Sequence, residues 1–569
     1  MAHRELLNAS DIARCTHRVA LERGAPDGVA PLPVSLEIQR RWRDSNGHRD
    51  HVLSELLLRH ADSVDAHGDV RATQSAVELG VVLIANPRLP DDVEGRRRAM
   101  VDVLIRTSGR GATAAYAPVL IRNSEFIEVA ATRRILTGTL DNIAPGTAEW
   151  SGGFGVRRND TVMRNGLQLS HATRVLETLA WGSTNYFGGV IDRQSRLWWI
   201  DLADADNPRF YLTTYDEAYA VRRDVLERHD RWSANLGEFP TSPYWHRDCP
   251  ECPFAESCES TLVASDDVSL ARFTTLEQQV LLREHGITTR AALSQLDPQR
   301  ARRAKVTAAN SANPAIEDTL GHAIEKLDEL IYRARAHVVG SPLRIVETSR
   351  LHCPTADVEI DIDMESYNDQ TYLWGAYVTL RRPVPGIEPG YHYFVRFEAI
   401  NSELESEVFG EFWTWLTRQR DAATAAGATL AGYCFWAQAE NSAMNRSITT
   451  VTPATPTLAD LDHFRNASPA QWVDLHEVAK GQIQTEGPLG LKVLAKAAGF
   501  EWRDPTPSGE LSMLWFEEAI SSSDPERAAS NRRRLLEYNE DDCRATQALR
   551  EWINLGAGEL RSRDETPLL

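Results

Sequence analysis

From Val358 the chain alternates strictly: Val358, Ile360, Ile362 and Met364 fall on one side, and Glu359, Asp361, Asp363 and Glu365 on the other. A period of two predicts a β-strand over 358–366, because successive side chains of a strand point to opposite faces. Two further runs rich in β-branched and aromatic residues follow, TYLWGAYVTL (371–380) and YHYFVRFEAI (391–400). A helix from about 403 to 425 and a short apolar run, AGYCFWA (431–437), complete the order strand, strand, strand, helix, strand. That order predicts a mixed sheet with helices packed on it. A first, central strand is normally apolar on both faces. Burying four carboxylates without partners is prohibitive, and divalent cations between them would remove the difficulty.

The pattern divides the chain into three segments. Residues 1–265 mix helical signals with the strand-like runs VDVLIR (101–106), YAPVLIR (116–122) and RLWWIDL (196–202). Residues 266–340 turn helical. Within them LLREHGITTRAALSQL (281–296) predicts helix, turn, helix: Gly286 supplies the positive φ that ends the first helix, and Thr288 or Thr289 caps the second. This stretch resembles the helix-hairpin-helix modules that offer backbone amides to a DNA phosphate, a plain helical linker being the other reading. Residues 341–569 contain the acidic strand and, near their end, the helical LLEYNEDDCRATQALREWI (535–553). There Tyr538 and Asp542 lie one turn apart and face the same way.

Three of the seven cysteines crowd into DCPECPFAESCES (248–260), where Cys249, Cys252 and Cys258 have C-x2-C-x5-C spacing and Pro250 and Pro253 stiffen the loop. They lie too close together for an ordinary disulfide ladder, so in a reducing compartment metal ligation is the better reading. Three thiolates leave a tetrahedral metal or a cubane one ligand short. Cys353, Cys434 and Cys543 belong to the last segment. Cys15 alone shares the first, in SDIARCTHRVALER, where Ser10 or Asp11 is expected to cap a helix that presents Cys15 about one turn in.

A lone early cysteine closing on a late C-x2-C-x5-C triplet resembles the iron–sulfur RecB-like nucleases, over residues 1 to about 262. The resemblance implies a PD-(D/E)xK restriction-endonuclease-like fold whose ends are stapled by a 4Fe-4S cluster on Cys15, Cys249, Cys252 and Cys258, with zinc as the alternative. It also implies a magnesium site built from one acidic residue and, on the next strand, an acid-x-Lys triplet. Asp102 matches the first carboxylate and His51 the family's upstream histidine. Where the triplet should lie the chain has Leu120-Ile121-Arg122, and no lysine precedes Lys305. Arginine keeps the charge but leucine ligates no metal, so this site is expected to be impaired, with Glu125 and Glu128 the nearby acids that could move inward.

An Asp-x-Glu strand followed far downstream by a helical Y-x3-D resembles the DEDD exonucleases of the tyrosine subtype, on an RNase H-like fold. The whole layout is similar to a bacterial nuclease family that joins a RecB-like domain to a YprB-like, RNase H-like exonuclease domain. By that resemblance Asp363 and Glu365 form the first motif and Asp542 the last, with Tyr538 positioning the attacking water; Asp361-Ile362-Asp363 is the alternative register. The middle carboxylate corresponds to Glu440 in QAENSAMNR, with Asp474 in WVDLHEV in reserve, and Lys492 in GPLGLKVLAK to a lysine beside the site that contacts phosphate. Two Mg2+ or Mn2+ ions ~4 Å apart would then serve in-line attack on a phosphodiester. Homologous layouts fused to helicases imply a helicase partner.

Length and charge narrow this picture. The 569 residues allow roughly three domains, each with its own core. No run approaches the ~18–20 apolar residues needed to cross a bilayer, and the N-terminus lacks a secretory layout, so a cytoplasmic protein with no membrane partner is expected. A net charge of −19 argues against coating nucleic acid through the overall field. It does not exclude a nuclease, whose carboxylates gather around ions. Positive charge is nearly all arginine, the only lysines being Lys305, Lys326, Lys480, Lys492 and Lys496. Arg96–Arg98, Arg300 with Arg302 and Arg303, and Arg532–Arg534 are candidate phosphate contacts. The expectation is an α/β multidomain nuclease, most concretely a 3′–5′ exonuclease on single-stranded DNA or RNA. The rivals are a degenerate platform that binds nucleic-acid ends, and a redox sensor built on the cysteines.

Overall fold

The computed structural model describes residues 5–563 except 205–210, 272–273, 305–314, 347–350, 369, 451, 453 and 559, so Lys305 lies outside the described residues. The chain forms two compact units, Met1–Tyr244 with Asp248–Thr261, and Trp245–Arg247 with Leu262–Leu569. Among the described residues no helix is long and apolar enough to cross a membrane.

The first unit is built on one eight-stranded mixed sheet. In chain order its elements are α1 (Leu36–Arg59), β1 (Ser63–Asp65), α2 (Val70–Leu79), β2 (Leu83–Ala85), β3 (Val103–Ser108), β4 (Ala115–Ile121), β5 (Ile127–Gly138), β6 (Glu149–Val156), α3 (Asp160–Thr178), β7 (Phe187–Ile191), β8 (Leu197–Asp201) and α4 (Tyr211–Ser233). The strands lie side by side as β1-β2-β3-β4-β7-β8-β5-β6. The central strands are apolar on both faces, which requires cover on both sides. Val103, Ile105, Val119 and Ile121 pack with Val52, Leu53 and Leu56 of α1, while Leu104 and Leu120 pack with Leu169 and Val175 of α3 and with Val77 of α2. The crossover from β4 through α3 to β7 makes those two strands parallel.

The second unit begins with five helices, α5 (Leu276–Glu284), α6 (Arg290–Ser294), α7 (Pro298–Ala304), α8 (Ile316–Ala323) and α9 (Leu327–Val338). Gly286, at φ +80°, ends α5, and Thr289 caps α6 by accepting from the Ala292 amide. The amides of His285, Gly286 and Ile287 all donate to carbonyls of α5. Those three amides are therefore not held out for a phosphate.

A five-stranded sheet follows. Its strands are β9 (Val358–Tyr367), β10 (Gln370–Leu380), β11 (Gly390–Val395), β12 (Leu430–Cys434) and β13 (Trp472–Asp474), in the order β11-β10-β9-β12-β13. The first three are antiparallel and the last two join in parallel, so β9 is central. Val358, Ile360 and Ile362 pack with Trp374, Ala376 and Val378 of β10 against Phe409, Phe412 and Leu416 of α10 (Ser402–Ala425). Further helices of this unit are α11 (Gln438–Ser447), α12 (Leu491–Ala497), α13 (Gly509–Ser521) and α14 (Pro525–Asn554). α14 covers the acidic face of β9. The approach is close enough that a Cβ at Gly375 of β10 would sit 1.7 Å from Asn539 Oδ1 of α14, so a larger residue here would displace that amide.

Cations do not account for all four carboxylates of β9. Arg550 of α14, buried to 1 % exposure, donates from Nε and Nη2 to Asp361 at 2.9 Å and from Nη1 to Glu359. Glu359 also accepts from Arg381 at 2.7 Å. Burial pushes Asp361 up to about 6 against the pull of Arg550, which leaves an ionised pair at neutral pH. Asp361 is thereby engaged away from any metal, which removes the alternative register Asp361-Ile362-Asp363. Replacing Arg550 by methionine leaves buried Asp361 without its cation and Glu359 with Arg381 alone, and is expected to cost ~3–5 kcal/mol in chemical denaturation. Adding Glu359→Gln and Asp361→Asn to Arg550→Met should recover most of that loss; no recovery would mean that packing, not charge, is what Arg550 supplies.

Candidate active site

Two residues farther along β9, Asp363 and Glu365 keep the same face but pass beyond the reach of Arg550. There they meet Asp542, which α14 presents one turn after Tyr538. One carboxylate oxygen from each of Asp363, Glu365 and Asp542 lies within 4.8 Å of the others, the one such set of three metal-ligating atoms among the described residues. Glu365 and Asp542 are buried and Asp363 half-buried, so the cluster opens to solvent at Asp363.

Each carboxylate is oriented by a neutral donor. Asn539 Nδ2 donates to Asp363 at 2.7 Å, Ser512 Oγ of α13 to Glu365 at 2.8 Å, and Trp502 Nε1 to Asp542 at 2.7 Å. Tyr391 of β11 donates to Asn539 Oδ1 at 2.7 Å and fixes that amide. Lys492 of α12 is the cation acting on all three carboxylates; its Nζ donates to the Pro507 carbonyl at 2.7 Å and to Tyr538 Oη at 3.3 Å.

One lysine against three acids leaves excess negative charge in a buried place. Burial first, then the neighbouring carboxylates, hold Asp363 well above the usual range and push Glu365 up to about 8. Asp542 is raised by burial against the opposing effects of Trp502 and Lys492. Tyr538 is raised far above an ordinary phenol by burial and by Asp542, so it keeps its proton and serves as a donor, not a base. The donor set fits a divalent cation: hard oxygens, converging, ordered, and undercompensated.

Of the two candidates for the middle carboxylate, Glu440 in the first turn of α11 is buried, and its Oε2 has no partner among the described residues. Burial and then Asp474 push it up to about 8, and its charge acts on Asp363. Asp474 is already engaged: Oδ1 accepts from the amides of Trp436 (3.1 Å) and His476 (2.9 Å), and Oδ2 from that of Ala437 (3.1 Å). Those bonds hold Trp436 at φ +70°, with 58 % of its surface exposed, at the entrance to α11. For a non-glycine residue this conformation carries strain, and such strain clusters at functional sites.

Sequence patterns missed the donors Asn539, Ser512, Trp502 and Tyr391, and also Arg550. Asn539 adjoins Tyr538, and Arg550 follows Asp542 by two steps of four along one helix face, a spacing that marks it as a partner of the same strand. The others come from segments without a motif.

In the first unit, Asp102 accepts from Arg49 Nε on one oxygen and from the Ile121 amide (2.8 Å) and Arg122 Nη1 (3.1 Å) on the other. Arg122 also donates to Asn165 and Gln168 of α3. Leu120 is in the core, His51 and Glu128 are exposed, and Glu125 is exposed and paired with Arg157, so the glutamates do not fill the missing position.

Cys15 is not one turn into a helix capped by Ser10 or Asp11. The helix there, Ala9–Ile12, is capped by Asn8, whose amide donates to Asp11; Asp11 pairs with Arg23, and Cys15 stands at the N-terminal cap of the next helix, Thr16–Leu21. Cys252 and Cys258 come within electrostatic reach of it and of Cys249. Burial, then Cys252, Cys15 and Cys249, push the Cys258 thiol up to about 12.

The arginine runs are largely committed to ion pairs. Arg96 pairs with Asp230, Arg97 with Asp92, Arg98 with Asp91, Arg300 with Asp318, Arg302 with Asp328 and Arg534 with Asp504. Arg303 shares α7 with Arg302.

A family model described as the RNase H superfamily matches residues 440–554, a span that holds Glu440, Lys492, Tyr538 and Asp542. Neither the curated proteins nor the solved structures give a match. The second unit thus carries an RNase H-like domain, of a superfamily of nucleic-acid hydrolases that act with divalent metals.

Glu365 and Glu440 hold protons in the folded state up to about pH 8, against 4.5 as the ordinary value. Between those values the folded chain binds more protons than the unfolded one, so stability falls as pH rises. The metal-free protein should lose melting temperature from about pH 5 to about pH 8. Mn2+ should raise the melting temperature most at the alkaline end, and Glu365→Gln should flatten both effects. A melting temperature that climbs with pH in chelator would contradict this account.

Proposed function

We propose that the second unit is a metal-dependent 3′–5′ exonuclease acting on single-stranded DNA or RNA ends, and that the nuclease-like site of the first unit is impaired. The observation that carries the first part is the convergence of Asp363, Glu365 and Asp542 within 4.8 Å of one another, beside a protonated Tyr538. Asp363, Glu365 and Asp542, with Glu440 in support, would hold Mg2+ or Mn2+, which when bound supplies Lewis-acid activation for phosphodiester hydrolysis.

The chain's own groups do the rest. Tyr538 offers its hydroxyl hydrogen to Asp542 or to a water beside it. Lys492 brings positive charge for a phosphate, and its bond to Tyr538 Oη fixes the phenol. Asn539, Ser512 and Trp502 keep the three carboxylates oriented. The exposed indole of Trp436, at the start of the helix that carries Glu440, offers a stacking surface for a terminal base.

For the first unit, saturation of Asp102 by Arg49, Arg122 and a backbone amide, with Leu120 in the core, supports loss of metal binding. The spacing of Cys249, Cys252 and Cys258 and their electrostatic influence, with Cys15, on one another support a four-thiolate metal centre, proposed here as 4Fe-4S, although no three of these sulfurs lie within 4.8 Å of one another.

Incubation with labelled single-stranded DNA and RNA in Mn2+ tests the reading. Asp363→Ala should abolish digestion, a loss of at least ~10²-fold for a group acting on the reacting phosphate, and Asp102→Ala should leave it intact. Loss with Asp102→Ala alone would move the active site to the first unit, and inert wild-type protein would favour a binding platform. Iron analysis with absorbance near ~400 nm should be positive for wild type and reduced in Cys258→Ser, as expected for thiolate-held clusters; stoichiometric zinc without iron would reject the cluster.

A further inference from the structure

We infer that the first unit has a second nucleic-acid site: a pocket between the β5–β6 hairpin and β8 that takes one nucleotide of a single strand. The cavity measures about 310 Å³, at the lower end of small-ligand sites (~300–1,000 Å³) and too small for a base pair. Arg133 and Arg134 of β5, Trp150 of β6, Arg158 just beyond β6, and Phe187 and Trp199 line it. Arg157 lines it too, but it is tied to Glu125 and to the Ile127 carbonyl. Asp201 and Asp204 stand on the same lining and temper its charge.

Three facts separate this place from the other arginine-rich surfaces. First, Arg134 and Arg158 are exposed, and among the described residues neither is in an ion pair, whereas the runs at 96–98, 300–302 and 534 are paired. Second, Trp150 is 60 % exposed although it sits on a strand, a large apolar area left to solvent. Third, Arg134 lies over the Trp150 ring at 4.6 Å, so a guanidinium and an indole already stand in contact on the lining.

Guanidiniums recognise phosphate and indole rings stack bases without regard to sequence. An apolar ligand would leave the guanidiniums unmatched, and a bare anion would leave Trp150 without a role. One nucleotide satisfies both. The occupant is either a free nucleoside monophosphate or a unit of a strand. The site requires no catalysis, so it stands or falls separately from the carboxylate cluster.

The test uses the full chain carrying Asp363→Asn, in chelator, with a fluorescein-labelled oligothymidylate followed by anisotropy. Trp150→Ala should weaken binding about ten- to a hundredfold. Arg158→Ser should make the slope of log affinity against log salt shallower by ~0.7, one phosphate contact on a single strand. Neither exposed substitution should move the melting temperature. Competition by thymidine 5′-monophosphate as effective as by the oligomer would assign the pocket to free nucleotides; weak competition assigns it to a strand. Unchanged affinity and salt slope in both variants, with binding lost only in Lys492→Ala, would overturn the inference while leaving the exonuclease reading intact.

Discussion

The second unit is organised by how the negative charge on the inner face of β9 is shared out. Four carboxylates alternate along that face, and a buried arginine reaches two of them. Arg550 and Arg381 neutralise Glu359 and Asp361, so that end of the strand can be buried as structure. Asp363 and Glu365, a few residues on, receive hydrogen bonds but no guanidinium. The charge left over is what would favour a cation there. If a second arginine stood one turn before Arg550, the strand would be equally well buried and chemically inert.

This division explains which parts were legible in the sequence. Alternation of Val358 to Glu365 specified both the strand and its acidic face, and the Tyr538–Asp542 spacing specified a helix presenting one of its faces to that strand. The alternation calls for cations at all four acids because a one-dimensional pattern shows charges but not the arginine that comes from nearly two hundred residues away. The donors Ser512, Trp502 and Tyr391 were invisible for the same reason: a hydroxyl, an indole and a phenol carry no periodic signal, and their value arises only from where the chain folds back. In the first unit, β3, β4 and β8 were readable as apolar runs. The β5–β6 hairpin was not, since Arg133, Arg134, Gly152, Gly153 and Gly155 break the apolar pattern that marks a strand.

Arginine serves two physical roles in this lysine-poor chain. Its planar fork matches carboxylates, and with 81 acidic residues to pair with, many guanidiniums end in ion pairs that position segments without presenting charge to a ligand. A run of arginines in the sequence is therefore a poor guide to nucleic-acid binding here. Arg96 is nearly buried against Asp230, and Arg97 packs over Tyr219 at 4.1 Å. The informative guanidiniums are those on an open surface beside an exposed ring, because among the described residues no carboxylate neutralises them.

The two units also show why a carboxylate at a nuclease-like position is insufficient by itself. Asp102 and Asp363 both sit on or beside central strands, and both accept well-formed hydrogen bonds. The donors differ in charge. Two guanidiniums on Asp102 cancel its negative field, so a metal would have to displace cations already held by Asn165, Gln168 and Asn86. Asn539, Ser512 and Trp502 are neutral: they fix the geometry of Asp363, Glu365 and Asp542 and leave the net charge unaltered. Metal affinity in a buried site depends on ordered oxygens whose charge has not been neutralised, and among the described residues one cluster of three carboxylates, in the RNase H-like unit, meets that criterion.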